Sequence, residues 1–288
     1  MNATVSPRRI VVGYDGSDEA GWAVDWAATE AERTGSQLQI VNAYQIAWPG
    51  AYYVAVAEQT DAAREAGEQL IADIVGRVRE RGTGLDVFGI AVEAPPAATL
   101  LELGDAGASL LVVGNRGAGG LTNLLMGAVS QQVATHSRVP VAVIRGRSAA
   151  TDGPVVAGVD GSPSSEAALA LAFEAARARG THLVAVRAHV VPPQPSLPLA
   201  DIETYERVAL ESALDGWVQK YPDVRVEPLV ATGRAAKVLI GLSHTAQLVV
   251  VGSRGHGGFT GLLLGSVGQQ LMHHAECPVL IAHEPKAA

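Results

Sequence analysis

Two glycine-rich stretches of the chain share the spacing G-x-x-G-x9-G, in which x is any residue. The first contains Gly114, Gly117 and Gly127, and the second contains Gly252, Gly255 and Gly265. Glycine permits positive φ and close backbone approach, so successive amides can turn inward around phosphate oxygens. A helix beginning after the third glycine adds free amides and a favourable dipole. The pattern also fits a plain tight turn, but its occurrence twice, each time after a matching strand, favours a phosphate site.

An Asp-Gly-Ser sequence follows the first apolar run of each half of the chain, at Asp15 and at Asp160. This sequence is ordinary turn and helix-capping chemistry. A contact from the aspartate to a ribose or a nucleobase is an equally good interpretation if the carboxylate faces the glycine loop. Arg116 and Arg254 occupy equivalent loop positions and leave two alternatives open, neutralisation of phosphate or exposure to solvent. His256 has no histidine counterpart in the first copy and is expected to face solvent.

Several other kinds of site are disfavoured. Neither loop contains the Walker sequence G-x-x-x-x-G-K-[ST], and the third glycine of a dinucleotide fingerprint is replaced by Thr122 and Thr260. His273 and His274 are adjacent and point to different faces of a helix, so no metal site is predicted. No serine, cysteine or carboxylate pair has a recognisable partner for nucleophilic or acid-base catalysis. No catalytic residue is therefore assigned.

The glycine loops belong to a longer internal repeat. IVVGYDGS returns as VVAGVDGS 145 residues later, and the segment around LLVVGNRGAGG returns as LVVVGSRGHGG 138 residues later. A repeat of this length is a duplicated domain rather than a solenoid unit. The small and polar stretch GRSAATDG lies between the copies. We expect one domain over residues 1–147 and a second over residues 152–288.

Short β-branched runs alternate with alanine-rich stretches in each copy, which is typical of βαβ units and an α/β fold. The first copy is predicted to have strands near 9–14, 37–43, 86–92, 109–114 and 140–145, with four helices between them. Each domain is then an open α/β sandwich, a five-stranded and mainly parallel sheet of order 3-2-1-4-5 with helices on both faces. In such a sheet the aspartate and the glycine loop lie at the carboxyl ends of strands 1 and 4, where ligands bind.

The composition excludes several classes of partner. The chain has 288 residues, 21 basic and 29 acidic, for a formal net charge of −8. Net acidity without a basic run argues against nucleic acid and against an anionic membrane surface. The single Cys277 cannot form an intramolecular disulfide, and the first residues lack the apolar core of a signal peptide. A reducing cytoplasm is the expected location.

The Asp of VVGYDGS and VVAGVDGS, with a G-x-x-G-x9-G-[ST] loop that is complete through Ser266, resembles the universal stress protein family, specifically its tandem-domain members with an ATP-binding glycine loop. The resemblance covers nearly the whole chain. It implies ATP, with or without Mg²⁺, as the ligand, and pairing of domains through their last strands. The residues expected at the first site are Gly13, Asp15, Ala43, Gly114, Asn115, Arg116, Gly117, Ala118, Gly119, Gly120, Gly127, Ala128 and Val129. Those expected at the second are Gly158, Asp160, Ala188, Gly252, Ser253, Arg254, Gly255, His256, Gly257, Gly258, Gly265, Ser266 and Val267.

One departure from the family pattern concerns the first loop, where Ala128 stands in place of the hydroxyl residue after the third glycine. Its backbone amide is retained, but a side-chain phosphate bond of ~0.5–1.5 kcal/mol is lost, so the first site is expected to be the weaker. The expected function is a cytoplasmic, ATP-binding stress or regulatory protein, not an enzyme, in which nucleotide occupancy is the signal. The alternatives are a slow ATP hydrolase or nucleotidyl transferase, and a ligand-free dimerisation scaffold. We expect a homodimer of tandem chains.

Overall fold

The computed structural model describes residues 8–45, 54–117, 126–191, 198–256 and 264–284. The strands in these residues are β1 (Arg9–Gly13), β2 (Gln37–Tyr44), β3 (Val87–Glu93), β4 (Leu110–Gly114), β5 (Val141–Ile144), β6 (Val155–Gly158), β7 (Leu183–His189), β8 (Val226–Thr232), β9 (Leu248–Gly252) and β10 (Val279–Ala282). The helices are α1 (Asp18–Thr34), α2 (Val54–Arg79), α3 (Pro96–Asp105), α4 (Ala128–His136), α5 (Pro163–Arg179), α6 (Leu199–Lys220), α7 (Ala235–Ser243) and α8 (Ser266–His274). The predicted strands of the first copy are confirmed to within about one residue at each end.

The chain forms two compact units, residues 1–133 and 134–288. In the first unit the strand order is β3-β2-β1-β4, and all three pairings are parallel. In the second unit the order β8-β7-β6-β9-β10 is also parallel throughout, as the predicted order 3-2-1-4-5 requires. The chain order therefore reverses between β1 and β4 and again between β6 and β9, which is where such sheets bind ligands.

The fifth strand of the first copy, β5, lies in the second unit because it pairs with β10. The pairing is antiparallel and sets Val143 opposite Val279 and Ala142 opposite Leu280. Each residue of both strands is buried. This contact confirms the expectation that the last strands of the two copies pair within one chain. The compact units divide inside α4 and so do not test the domain boundary expected between residues 147 and 152. That boundary stays a prediction.

Helices α1 and α5 begin where the sequence predicts. Ser17 caps α1 by accepting a hydrogen bond from the amide of Ala20 at 3.2 Å, and Ser162 caps α5 through the amide of Ser165 at 3.2 Å. Each hydroxyl satisfies an amide that has no acceptor within the helix. Each helix consequently starts three residues after the aspartate, which itself lies two residues beyond the end of the preceding strand, and this short turn fixes the position of the carboxylate.

Helix α1 packs on the sheet through small residues that recur at helical spacing. Ala20, Ala23, Ala27 and Ala31 are all at most 4% exposed. Short side chains bring the helix axis close to the strands, so the first turn of α1 touches the end of β4. No helix of the described residues is long and apolar enough to cross a membrane.

Candidate functional site

Each repeat has a cleft at the carboxyl ends of its strands. The first is about 420 Å³, and its lining includes Gly13, Asp15, Ala43, Gly114, Arg116, Gly117, Gly127, Ala128 and Val129. The second is about 840 Å³, and its lining includes Gly158, Asp160, Ala188, Gly252, Arg254, Gly255, His256, Gly265, Ser266 and Val267. Both volumes fall in the range of small-molecule sites. Nineteen of the predicted residues are thus brought together at two clefts.

The other predicted residues do not line the clefts or are not described. The side chains of Asn115 and Ser253 are buried, and their carbonyl oxygens accept hydrogen bonds from the amides of Gly127 at 2.8 Å and Gly265 at 2.7 Å. These two residues therefore close the base of each loop instead of facing the cavity. Ala118, Gly119, Gly120, Gly257 and Gly258 lie outside the described residues.

One carboxylate oxygen of each aspartate organises the turn into the following helix. Asp15 Oδ1 accepts hydrogen bonds from the amide of Ser17 at 3.1 Å and from its hydroxyl at 2.6 Å. Asp160 Oδ1 makes the same pair of bonds with Ser162, at 2.9 and 2.6 Å. The glycine between them has a φ of 84° in both turns, a conformation that other residues rarely adopt. The role of these aspartates as turn residues therefore accounts for the hydrogen bonds of Oδ1 but not for the position of Oδ2.

The second carboxylate oxygen faces the glycine loop. Asp160 Oδ2 accepts a hydrogen bond from the amide of His256 at 3.2 Å. A Cβ atom placed on Gly255 would lie 2.4 Å from that oxygen, and one on Gly117 would lie 2.3 Å from Asp15 Oδ2. The aspartate and the loop consequently touch in both repeats, and the middle glycine is required by their close approach.

Positive φ does not account for these loop glycines. The glycines with positive φ among the described residues do not include Gly117 or Gly255. The first glycines of the two motifs have a different steric reason: a Cβ on Gly114 would lie 2.9 Å from the carbonyl oxygen of Glu19, and one on Gly252 would lie 2.7 Å from the carbonyl carbon of Ser164. They allow a helix to pack on the strand end, so of the two expected reasons for these glycines the structure shows close backbone approach and not positive φ.

Helix α8 presents its amino terminus to the second cleft. Its N-cap residue is Gly265, which provides no side-chain cap, and the first amide bonded within the helix is that of Gln269. The amides of Ser266, Val267 and Gly268 therefore have no intrahelical acceptor, and all three residues line the cleft. Such a helix end attracts anions through its free amides and its dipole.

The two clefts differ at this helix end. Ser266 supplies a hydroxyl at the start of α8, whereas Ala128 starts α4. Ser130 does not replace the missing group, because its hydroxyl is buried and donates to the carbonyl oxygen of Gly114 at 2.5 Å. The first cleft is also half the volume of the second.

Each loop arginine is paired with a carboxylate. Arg116 Nε lies 3.8 Å from Glu19, and Arg254 Nη2 lies 3.3 Å from Glu284. The arginine side chains are 46% and 56% exposed, so solvent weakens both pairs. His283 precedes Glu284, and its burial together with the charge of Arg254 lowers the pKa of its imidazole to about 4.

The sequence interpretation did not include the apolar wall of either cleft. Val41, Leu100 and Val113 line the first cleft, and Val186, Leu239 and Val251 line the second. Equivalent apolar residues in both copies were the available signal, but buried strands are apolar for packing reasons as well. Glu284 was also missed, because it lies after the last strand and has no acidic counterpart in the first copy.

Comparisons with known proteins agree with this geometry. The model of the universal stress protein family matches residues 7–145 and again residues 153–283. The chain belongs to the universal stress protein family. A universal stress protein of Mycobacterium tuberculosis is 37% identical over 96% of this chain and 97% of its own length. A universal stress protein of Mycolicibacterium smegmatis is 38% identical, with 94% and 96% covered.

Solved structures extend the likeness to three dimensions. The crystal structure of a universal stress protein from Archaeoglobus fulgidus superposes with a TM-score of 0.71 and covers 96% of this chain and 97% of that one, at 17% identity. At that identity the match shows the fold alone. The double match of the family model and the long matches to relatives agree in making this chain a tandem universal stress protein.

Proposed function

We propose that the chain binds ATP at its two clefts and that occupancy of these sites, rather than turnover of the nucleotide, is its regulatory signal. The observation that carries the proposal is the combination found in both repeats at the switch point of the sheet. A glycine loop touches an aspartate, an apolar wall lies beside them, and a helix begins directly after the third glycine. Together they suit the phosphates, the ribose and the base of one ligand.

The phosphate chain is assigned to the start of α8 in the second cleft. The amides of Ser266, Val267 and Gly268 have no intrahelical acceptor there, and the Ser266 hydroxyl adds a fourth donor. Hydrogen bonds to a charged group contribute ~1.5–3 kcal/mol each. Three or four of them are sufficient for micromolar affinity, which corresponds to about −8 kcal/mol.

The nucleoside is assigned to the apolar side of the same cleft. Val186, Ala188 and Leu239 offer a wall against which a purine can pack. Asp160 stands between this wall and the loop, and three of the about four lone-pair positions of its carboxylate accept hydrogen bonds from the protein. One ribose hydroxyl is therefore the most that this carboxylate can accept without releasing the loop.

The proposal extends to the whole protein, which we expect to be a cytoplasmic stress-response protein that acts as a homodimer of tandem chains. A slow ATP hydrolase or nucleotidyl transferase is the competing function. Magnesium-dependent turnover that survives rigorous purification and disappears in Gly255→Ala would support that competitor.

The decisive experiment is extraction of the purified protein followed by mass spectrometry of the released small molecules. We expect an adenine nucleotide at up to two molecules per chain, and rebinding of ATP by the stripped protein in calorimetry. A chain that neither retains nor rebinds adenine nucleotide would overturn the proposal. The stripped protein must keep its circular dichroism spectrum for this result to count.

A further inference from the structure

The charges that face the two clefts are not equivalent. Asp15 and Arg116 are the charged residues of the described lining of the first cleft, and they cancel. In the second cleft the described charged lining residues are Asp160, Arg254 and Glu284, which sum to one negative charge. Glu19 pairs with Arg116 but lies outside the lining of the first cleft, so the carboxylate that pairs with the loop arginine belongs to the lining only in the second cleft.

Glu284 is the source of this difference. It follows β10, lines the second cleft together with Ser266 and Gly255, and pairs with Arg254 at 3.3 Å. The corresponding position of the first copy is Gly146, which has no side chain. The charge difference between the two linings thus depends on Glu284.

Arg254 is the cation that pairs with Glu284 among the described residues of the cleft lining. The His283 imidazole is neutral at pH 7, because burial and Arg254 lower its pKa to about 4. The loop segment 257–263 reads GGFTGLL and contains no ionisable residue. Arg254 is already engaged by Glu284, so an incoming phosphate must compete with a carboxylate for the same guanidinium.

We propose that Glu284 makes the second cleft selective for nucleotide whose phosphate charge is partly neutralised by a divalent cation, and makes it disfavour the free polyanion. This inference rests on the proposed function and specifies the ionic form of its ligand. Repulsion between like charges in a partly desolvated cleft is stronger than in water, and a divalent cation weakens it by removing two of the about four negative charges of ATP. Glu284 acts as a specificity residue here, and it is not required for recognition of the nucleoside.

The test is the variant Glu284→Gln, which removes the charge and keeps the shape. Calorimetric titration is carried out in a Gly117→Ala background, where the new Cβ would lie 2.3 Å from Asp15 Oδ2 and should silence the first cleft. One-to-one stoichiometry verifies that only the second cleft is measured. The ligands are adenosine, ATP with EDTA and ATP with excess Mg²⁺. Glu276→Gln is the matched control, because it removes the same charge from an exposed residue that does not line the cleft.

We expect Glu284→Gln to raise the affinity for metal-free ATP by about tenfold at low ionic strength, with less gain at high salt. The affinities for Mg·ATP and for adenosine should change by about twofold or less, and Glu276→Gln should change none of the three. Unchanged binding of metal-free ATP, or an equal gain for adenosine, would overturn the role of Glu284 while leaving nucleotide binding intact. If wild-type protein binds neither ATP nor adenosine, the proposed function fails and this inference fails with it.

Discussion

The carboxylates of Asp15 and Asp160 each contact two backbone segments, the Asp-Gly-Ser turn and the glycine loop. One oxygen caps the Asp-Gly-Ser turn, and the other meets the middle glycine of the loop across the switch point. A residue that appears in the sequence as a turn former therefore also sets the position of the phosphate loop. Substitutions of the middle glycine and of the aspartate test this contact.

Replacing Gly255 by Ala should damage ATP binding more than replacing Arg254 by Ala. The new Cβ would lie 2.4 Å from Asp160 Oδ2 and forces the loop outward, at a cost of ~1–3 kcal/mol. The Arg254 side chain is 56% exposed and paired with Glu284, so its loss should cost about 1 kcal/mol or less for Mg·ATP. Calorimetric titration of each variant measures both effects.

The control for this steric explanation is a double-mutant cycle with Asp160→Ala. If the carboxylate is what the Cβ meets, the destabilisation of the fold by Gly255→Ala should shrink by about 1 kcal/mol in that background. Chemical denaturation measures the free energy of unfolding. Strictly additive changes would show that the loop is strained for another reason.

Adding a hydroxyl to the first cleft by Ala128→Ser should strengthen ATP binding there. The side chain would start α4 as Ser266 starts α8, and one more hydrogen bond to phosphate contributes ~0.5–1.5 kcal/mol. Ser266→Ala is the reciprocal change and should weaken the second cleft by a similar factor. Two-site fits of calorimetric isotherms separate the clefts. If the ATP affinity of each cleft were the same in wild type, Ala128→Ser and Ser266→Ala, the hydroxyl would have no role in binding phosphate.

Among the structural elements, β10 ends next to the second cleft and is followed by the half-buried His283. His283 Nε2 is buried without a hydrogen-bond partner in the part of the chain that the structure describes. Burial, and to a lesser degree Arg254, lowers the pKa of the imidazole to about 4 in the folded protein. Protonation of the His283 imidazole is consequently easier in the unfolded chain, where the ring is exposed to solvent.

This coupling predicts the direction of the pH dependence. The unfolded imidazole titrates near its ordinary pKa of 6.5, so the contribution of His283 to stability is complete above that pH and is lost as the pH falls toward 4. The loss between pH 7 and pH 5 should be about 2 kcal/mol. Denaturation of wild type and His283→Gln at both pH values measures it. A glutamine variant with the same pH dependence as wild type would contradict the assignment to His283.

At the scale of the whole molecule, duplication places the final strand of the first repeat against that of the second. β5 and β10 are buried throughout, and their antiparallel pairing satisfies backbone groups that a lone edge strand would expose. The tandem chain thus contains within itself a contact that a single repeat would have to make with another molecule.

A fragment of residues 1–147 should therefore dimerise. Without β10 the apolar edge of β5 is uncovered, and a second copy is the natural partner for it. Light scattering on the fragment gives its mass, which is compared with the mass of a single fragment chain. A stable and well-folded monomeric fragment would argue against edge pairing as the reason for the contact.

Much of the molecule follows from the sequence by itself. The repeat, the strand positions, the strand order and the family are contained in local patterns of apolar residues, in turn residues and in two copied motifs. The position of Asp15 and Asp160 opposite the glycine loops also follows, since strands 1 and 4 must end at the same edge of the sheet. These features depend on short-range order and on general rules of sheet topology.

Only the tertiary structure shows why particular residues are required at their positions. The sequence left two reasons open for Gly117 and Gly255, positive φ and close backbone approach. The structure shows the second, because a carboxylate that follows a distant strand occupies the space of a Cβ. Glu284 has no motif around it and becomes part of the cleft only when β10 ends beside the loop of Arg254. Contacts between residues far apart in the chain depend on how the strands and loops pack in space, and a local pattern contains no record of that packing.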